Sequence, residues 1–338
     1  MKTAVVLINL GTPDSPSVKD VRSYLSQFLN DPRVVDLPWL LRKALVNLII
    51  VPFRAPKSAK IYQKLWTEDG SPLIYHGQRV KQLLQEKLGP DFSIELAMRY
   101  KNPSVEDVLE KVRQSNPDRI VILPLFPHFA ASSTGSALVE AMDVIRKWWV
   151  IPELKFISQY WDHPAFIKAQ VERGRQYDWR DYDHVLFSYH GLPERQVDKV
   201  YNSGLCSDRD CEHESTDENK FCYKAACFGT SRLIADSLGI PEDKYTVCFQ
   251  SRLAKDWLEP FSDKVVIEKA KNGAKKLLVF SPAFVADCLE TTIEIADEYQ
   301  ELFVENGGEK IELVESLNEH PAWISALEEL VKSNENPA

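Results

Sequence analysis

Short apolar runs rich in β-branched residues alternate with longer helical stretches along the chain, the pattern of parallel strands joined by crossover helices. Strands are predicted at Ala4 to Leu10, Ile94 to Met98, Arg119 to Leu123, Lys155 to Ile157, His184 to Ser188, Tyr245 to Phe249 and Lys276 to Phe280. Helices are predicted over Ser104 to Gln114, Ser136 to Trp148, Pro164 to Arg173, Ser231 to Leu238 and Val265 to Lys271, with Pro321 to Val331 as a closing helix.

The strand ends repeat. Asn9-Leu-Gly-Thr-Pro13, Ala97-Met-Arg-Tyr100 and Leu123-Pro-Leu-Phe-Pro127 recur in form as Ser188-Tyr-His-Gly-Leu-Pro193, Cys248-Phe-Gln-Ser251 and Val279-Phe-Ser-Pro-Ala-Phe284. The third strand of each half feeds a turn with Pro and Phe and then a helix. The expected fold is α/β: two similar lobes of parallel strands flanked by helices, facing each other across a cleft. The boundary is placed near Val150 to Glu153. Residues 1–150 then form the first lobe, and residues 151–338 form the second with the closing helix.

Composition narrows the class. The 338 residues are 44% hydrophobic and 27% charged, ordinary for a water-soluble protein, and a net charge of −9 argues against nucleic acid as a partner. The run after Met1 is too short for a signal peptide and reads as a first strand, so a cytoplasmic protein is expected. The longest apolar stretch, Leu37 to Phe53, contains Arg42, Lys43 and Asn47 and is interrupted by prolines, too broken to span a bilayer.

Two segments carry chemistry. His190 leaves the end of an apolar strand and is followed by Gly191, which permits close backbone approach. A lone histidine at a strand end is more often a packing residue. Here it stands where open α/β sheets place their chemistry. Glu290, Glu294 and Glu298 follow another strand at four-residue spacing, stacking their acids on one helical face, with Asp287 at the helix start. Such a row is commonly a solvated surface. Emerging from the apolar Phe280 to Val285 wall, it also suits a rail of oxygen ligands about one turn (~6 Å) apart for a divalent cation.

These motifs resemble those of the ferrochelatases: Asn-Leu-Gly-Thr-Pro at the start, Glu68-Asp-Gly-Ser-Pro-Leu73, Leu123-Pro-Leu-Phe-Pro127 with Ser133-Thr-Gly-Ser136, Ser-Tyr-His-Gly-Leu-Pro, Phe249-Gln-Ser-Arg252 and Asp287-Cys-Leu-Glu-Thr291. The resemblance runs in order from about Lys2 to Trp323. It implies two Rossmann-like lobes, each with a four-stranded parallel sheet, and a lyase of haem biosynthesis that inserts Fe(II) into protoporphyrin IX. His190 and Glu290 would be the catalytic pair and the ligands of the substrate iron, on opposite sides of the macrocycle. Glu294 and Glu298 would form an acidic ladder on a helix with π-type widening. Arg99, Leu10, Ser132 and Trp323 are candidates for porphyrin contact. Some family members have Tyr or Met where this chain has Leu10, which argues against a metal ligand there.

The same resemblance makes Pro38 to Phe53, within a lip at about 30–75, one edge of the cleft; a buried core helix is the competing reading. Its Trp, Leu and Ile content with Arg42, Lys43, Arg54 and Lys57 suits peripheral contact with an anionic membrane surface that delivers an insoluble porphyrin.

Four of the six cysteines, Cys206, Cys211, Cys222 and Cys227, fall in a polar insert at about 202–227 that is too hydrophilic to build its own core. Thiolate ligation of a 2Fe-2S cluster suits the set, and some ferrochelatases have one. Zinc and free thiols remain alternatives, although zinc pairs are usually closer spaced. Cys248 and Cys288 read as small core residues.

Coproporphyrin is an alternative substrate. Cobalt or nickel chelatases share the architecture but not the full motif set. A haem carrier would have no use for a carboxylate row facing a histidine, and a periplasmic metal-binding protein should show an export signal.

Overall fold

In a computed structural model, which describes residues 2–252 and 254–333, the chain divides into two compact units. One takes in the chain up to Phe126, Ala130–Gln159 and the chain from Ile324 onward; the other comprises Pro127–Phe129 and Tyr160–Trp323. Met1, Leu253 and 334–338 of the expected domain ranges lie outside the described residues.

The first unit is built on a parallel sheet of β1 (Thr3–Gly11), β2 (Phe92–Tyr100), β3 (Arg119–Pro124) and β4 (Glu153–Phe156), in the order β2-β1-β3-β4. Helices cover the sheet, which explains why β1 is apolar nearly throughout rather than alternating. Ala4, Val6, Ile8, Ile120 and Ile122 pack with Val108 and Leu109 of the helix Val105–Gln114 and with Ala141 and Ile145 of the helix Ser136–Ile145. The unit runs on to Gln159, six residues past the Val150 to Glu153 stretch where the boundary is expected. β4 hydrogen-bonds to β3, so the chain stays in the first unit until Gln159. The closing helix Pro321–Lys332 begins in the second unit, but its residues from Ile324 belong to the first.

The second unit repeats the plan. Its strands β5 (His184–His190), β6 (Tyr245–Gln250), β7 (Lys276–Phe280) and β8 (Lys310–Leu313) run parallel in the order β6-β5-β7-β8. Leu186, Cys248, Val266, Leu277, Val279, Ile295 and Phe303 form its core. In both units a π-helix follows the third strand, Ala131–Gly135 after β3 and Glu290–Tyr299 after β7. The duplication seen in the strand ends is thus a shared topology.

The apolar stretch before residue 54 is helical despite its prolines. Trp39–Ala44, a π-wound turn Leu45–Ile50 and Val51–Leu65 follow without a break. Pro52 stands in the first turn of the last segment, just beyond the widened turn that absorbs its missing donor. Trp39, Leu40, Leu41, Leu48, Ile49 and Phe53 are each more than half exposed, so this helix is not a core helix. Among the described residues no helix is long and apolar enough to cross a membrane.

Candidate active site

His190 is the last residue of β5 and pairs in register with Gln250 at the end of β6. Its ring Nδ1 lies 2.7 Å from the Gly191 carbonyl oxygen. A carbonyl only accepts, so Nδ1 carries a hydrogen, and in the neutral tautomer the lone pair then lies at Nε2. That leaves a base, or a metal ligand, at the outer nitrogen. The Trp257 ring lies beside the imidazole, its centroid 6.3 Å away. Gly191 donates to the Gln250 carbonyl at 2.8 Å, and a Cβ at Gly191 would approach that oxygen to 2.9 Å. Only glycine fits at that distance.

The acids follow β7. The turn into their helix is fixed by Asn318, which accepts from the Asp287 N–H and donates to its carboxylate, and by Thr291, whose hydroxyl accepts from the Cys288 N–H. From Glu290 to Tyr299 the winding is π, wider than an α-helix. The widening that the resemblance implies is therefore present along the whole row, and the α-helical spacing expected for a rail of ligands is corrected to it. Exposure is graded along the row: Glu290 and Glu294 are half-buried and Glu298 is exposed.

Glu294 is the fixed rung. Four donors converge on its carboxylate: the Ser251 N–H at 2.8 Å, the Ser251 hydroxyl at 2.5 Å, the Gln250 amide at 3.1 Å and the Tyr299 hydroxyl at 3.0 Å. Burial, and then the Glu294 charge, push the Tyr299 hydroxyl far above its ordinary range, so it stays a donor. Gln250 also donates to the Glu290 carbonyl oxygen at 3.0 Å. One side chain therefore ties the strand beside His190 to both inner rungs. Cys288, at the start of the row, is half-buried; burial and the neighbouring Glu290 raise its thiol well above the ordinary range.

The porphyrin-contact candidates fare differently. Leu10 and Ser132 are half-buried at the carboxyl end of the first sheet. Arg99 lines a cavity of about 470 Å³ with Ser23, Gln27, Asn30 and Lys43, but its guanidinium is committed. Nη2 meets Asp31 at 2.9 Å, Nε donates to Ser136 at 2.7 Å and Nη1 lies 3.3 Å from Glu140. Its charge balances the buried Asp31, an ion pair that competes with the porphyrin contact expected of Arg99. Trp323 is 1% exposed, stacked on Tyr160 at 6.0 Å with Phe166 edge-on. It is a core residue of the second unit, and its expected porphyrin contact is corrected on that ground.

The insert is organised around sulfur. Cys206, Cys211 and Cys222 are buried, and their sulfurs lie within 4.8 Å of one another. Cys206 Sγ is 3.8 Å from Cys211 and 3.6 Å from Cys222. These contacts, with the Tyr201 hydroxyl at 3.1 Å and the Asn219 amide at 3.7 Å, concentrate donors on Cys211 and hold its thiol below the ordinary range. Cys227 is buried one helical turn beyond Cys222 and is outside the trio. Polar staples complete the insert. Arg209 donates to the Leu205 and Ser203 carbonyls at 2.7 and 2.8 Å and packs over the Tyr201 ring at 3.9 Å.

Sequence reasoning missed Ser251, Tyr299, Trp257 and Tyr223 as parts of this site. Ser251 was visible within the Gln-Ser-Arg motif. Tyr299 directly follows Glu298 and Tyr223 directly follows Cys222, but nothing local marks where either hydroxyl points.

A family model described as Ferrochelatase matches residues 2–335. The ferrochelatase of Coxiella burnetii (strain Dugway 5J108-111) is 42% identical over 337 residues, which cover 98% of this chain and 94% of the relative. The ferrochelatase of Legionella pneumophila (strain Lens) is 41% identical over 332 residues, 98% of this chain and 99% of the relative. Among solved structures, SirB from Bacillus subtilis with Fe3+ matches at a TM-score of 0.52 and 14% identity, covering 99% of this chain and 97% of that chain. At that identity the likeness speaks for the fold.

Proposed function

The chain belongs to the ferrochelatase family, and from that premise we propose that it inserts Fe(II) into protoporphyrin IX with His190 and Glu290 at the reacting centre. As a family member it is a lyase, a metal chelatase of haem biosynthesis, with porphyrin and iron as substrates.

The reaction exchanges two pyrrole protons for one dication, without redox change. A flat macrocycle hides its nitrogen lone pairs, so binding energy from the rest of the ring is needed to bend it. His190, with Nε2 left open, takes a pyrrole proton. Glu290 and the graded row through Glu294 to exposed Glu298 carry protons or hydrated iron between the centre and water. Carboxylate and imidazole hold Fe(II) and also release it. The observation that carries this reading is the Gly191 carbonyl on His190 Nδ1, because it engages that nitrogen and leaves Nε2 as the one open to substrate. Anaerobic Fe(II) and protoporphyrin with wild type and His190→Ala test it: haem formed by the wild type and not by the variant supports it, and equal rates overturn it.

Protoporphyrin, rather than the more charged coproporphyrin, fits the exposed apolar helix face of Trp39, Leu40, Leu48 and Phe53, with Lys43, Arg54 and Lys57 exposed on the same helical run. That face suits an anionic membrane surface from which an insoluble substrate is taken. Competing the two porphyrins in one assay decides between them, and flotation with vesicles containing anionic lipid tests the contact.

For the insert we propose a 2Fe-2S cluster held by Cys206, Cys211, Cys222 and Cys227. The donor set fits: four buried thiols in a segment without an apolar core, three of them already converged. Sulfurs at 3.6 and 3.8 Å also match thiolates about 2.3 Å from one tetrahedral ion, which keeps zinc as the second reading. A cluster would supply structural order and sensitivity to iron or oxidant, and the insertion chemistry does not pass through it. Iron, sulfide and zinc analysis with the visible spectrum separates the readings.

A further inference from the structure

The helix Tyr223–Leu238 starts at Cys222, and its first turn serves two sites. Cys222 belongs to the sulfur trio. The next residue, Tyr223, is 7% exposed, and its hydroxyl donates to the His190 carbonyl oxygen at 3.0 Å. A tyrosine hydroxyl has one hydrogen, so with that hydrogen on His190 its oxygen can only accept from elsewhere. The connection therefore runs from Cys222, through its chain neighbour Tyr223, to the main chain of His190. His128 braces the ring from the side: it is 2% exposed, its Nε2 bonds Thr230 at 2.9 Å, and its ring stands edge-on to Tyr223 at 6.2 Å and to Tyr189 at 5.2 Å.

We propose that Tyr223 is a positioning residue for His190, through which the state of the cysteine site sets the orientation of the active-site imidazole. The carbonyl that Tyr223 holds belongs to the residue whose ring is locked against the very next carbonyl, so a shift of one peptide plane re-aims Nε2. Two of the four proposed metal ligands flank Tyr223 on its own helix. Ordering that turn by metal fixes the hydroxyl, and loosening it releases the carbonyl. This rests on the insert holding a metal, as proposed above.

The test uses full-length protein labelled with ¹⁵N-histidine, one of seven histidines being assigned to His190 by a His190→Gln variant. Metal content is measured on the same samples. The expected result is that stripping the metal with a chelator moves the His190 ring resonances, and that Tyr223→Phe moves them without stripping and removes most of the response to it. In steady state Tyr223→Phe should lower kcat roughly five- to tenfold, the effect of one lost hydrogen bond, with KM for porphyrin unchanged. Protein that contains metal but keeps its His190 resonances on stripping overturns the coupling and leaves the cofactor reading standing. Protein purified without metal removes the cofactor reading and the coupling with it. Unmoved resonances in Tyr223→Phe overturn the positioning role itself.

Discussion

Ser251 grips Glu294 at both carboxylate oxygens, its N–H on Oε1 at 2.8 Å and its hydroxyl on Oε2 at 2.5 Å, from a left-handed backbone with φ of 60°. A non-glycine residue in that region costs on the order of 1 kcal/mol. The two hydrogen bonds to one carboxylate offset it, and they fix the middle rung of the row at the end of β6.

Ser251→Ala removes the hydroxyl donor and keeps the backbone. We expect kcat for iron insertion to fall roughly tenfold with little change in thermal stability, since a hydrogen bond to a charged group is lost from an oriented carboxylate. Steady-state rates measure it. An unchanged rate would mean that the orientation of Glu294 does not matter.

The acids should be graded by depth. Glu290→Gln is expected to reduce insertion by about 10² or more, close to His190→Ala, because both act at the reacting centre. Exposed Glu298→Gln should cost only a few-fold. Equal losses at positions 290 and 298 would contradict a row that runs from centre to surface.

Replacing Cys222 by Ser should abolish bound metal, bleach any visible absorbance above the aromatic bands and expose the insert to protease between 202 and 222. A variant that retains full metal content and protease resistance would exclude Cys222 as a ligand.

His128 makes the second unit sensitive to acid. Burial lowers its pKa from 6.5 to about 3. Between those values the unfolded chain binds a proton that the folded chain refuses, so the contribution is fully present above pH 6.5 and is lost as pH falls toward 3. At pH 5 the loss is about 2 kcal/mol. Urea unfolding at pH 7.5 and pH 5 should show it, and His128→Gln should shrink the difference by a similar amount. An equal pH effect in the variant would assign the sensitivity to other groups.

The strands that pair centrally were legible because burial on both faces leaves them apolar from end to end, as in Val185-Leu-Phe187. β8 was not, being a four-residue strand with Lys310 exposed and Glu312 half-buried, which reads as loop. The helices Val18–Leu29 and Pro72–Leu88 also escaped, since each carries a thin apolar stripe among many polar positions. His190 and the three glutamates stood out because ionisable groups interrupt apolar runs. Tyr223, Ser251 and Tyr299 act through contacts between distant segments, which no spacing rule exposes. Arg99 misled for a related reason: an arginine at a strand end looks open until Asp31, 68 residues earlier, is found against it.

The two sheets also share their register. Gly11 pairs with Tyr100 in one as Gly191 meets the Gln250 carbonyl in the other, and a Cβ at Gly11 would come within 1.9 Å of the Tyr100 oxygen. The residue ahead of each glycine therefore occupies one architectural address, filled by Leu10 in the first copy and by His190 in the second. A backbone capable of presenting an imidazole exists twice in this molecule, and only one copy is wired for it. Chemistry in such a doubled fold is decided by a few side chains at the strand tips, so one half can specialise while its twin is kept for other duties.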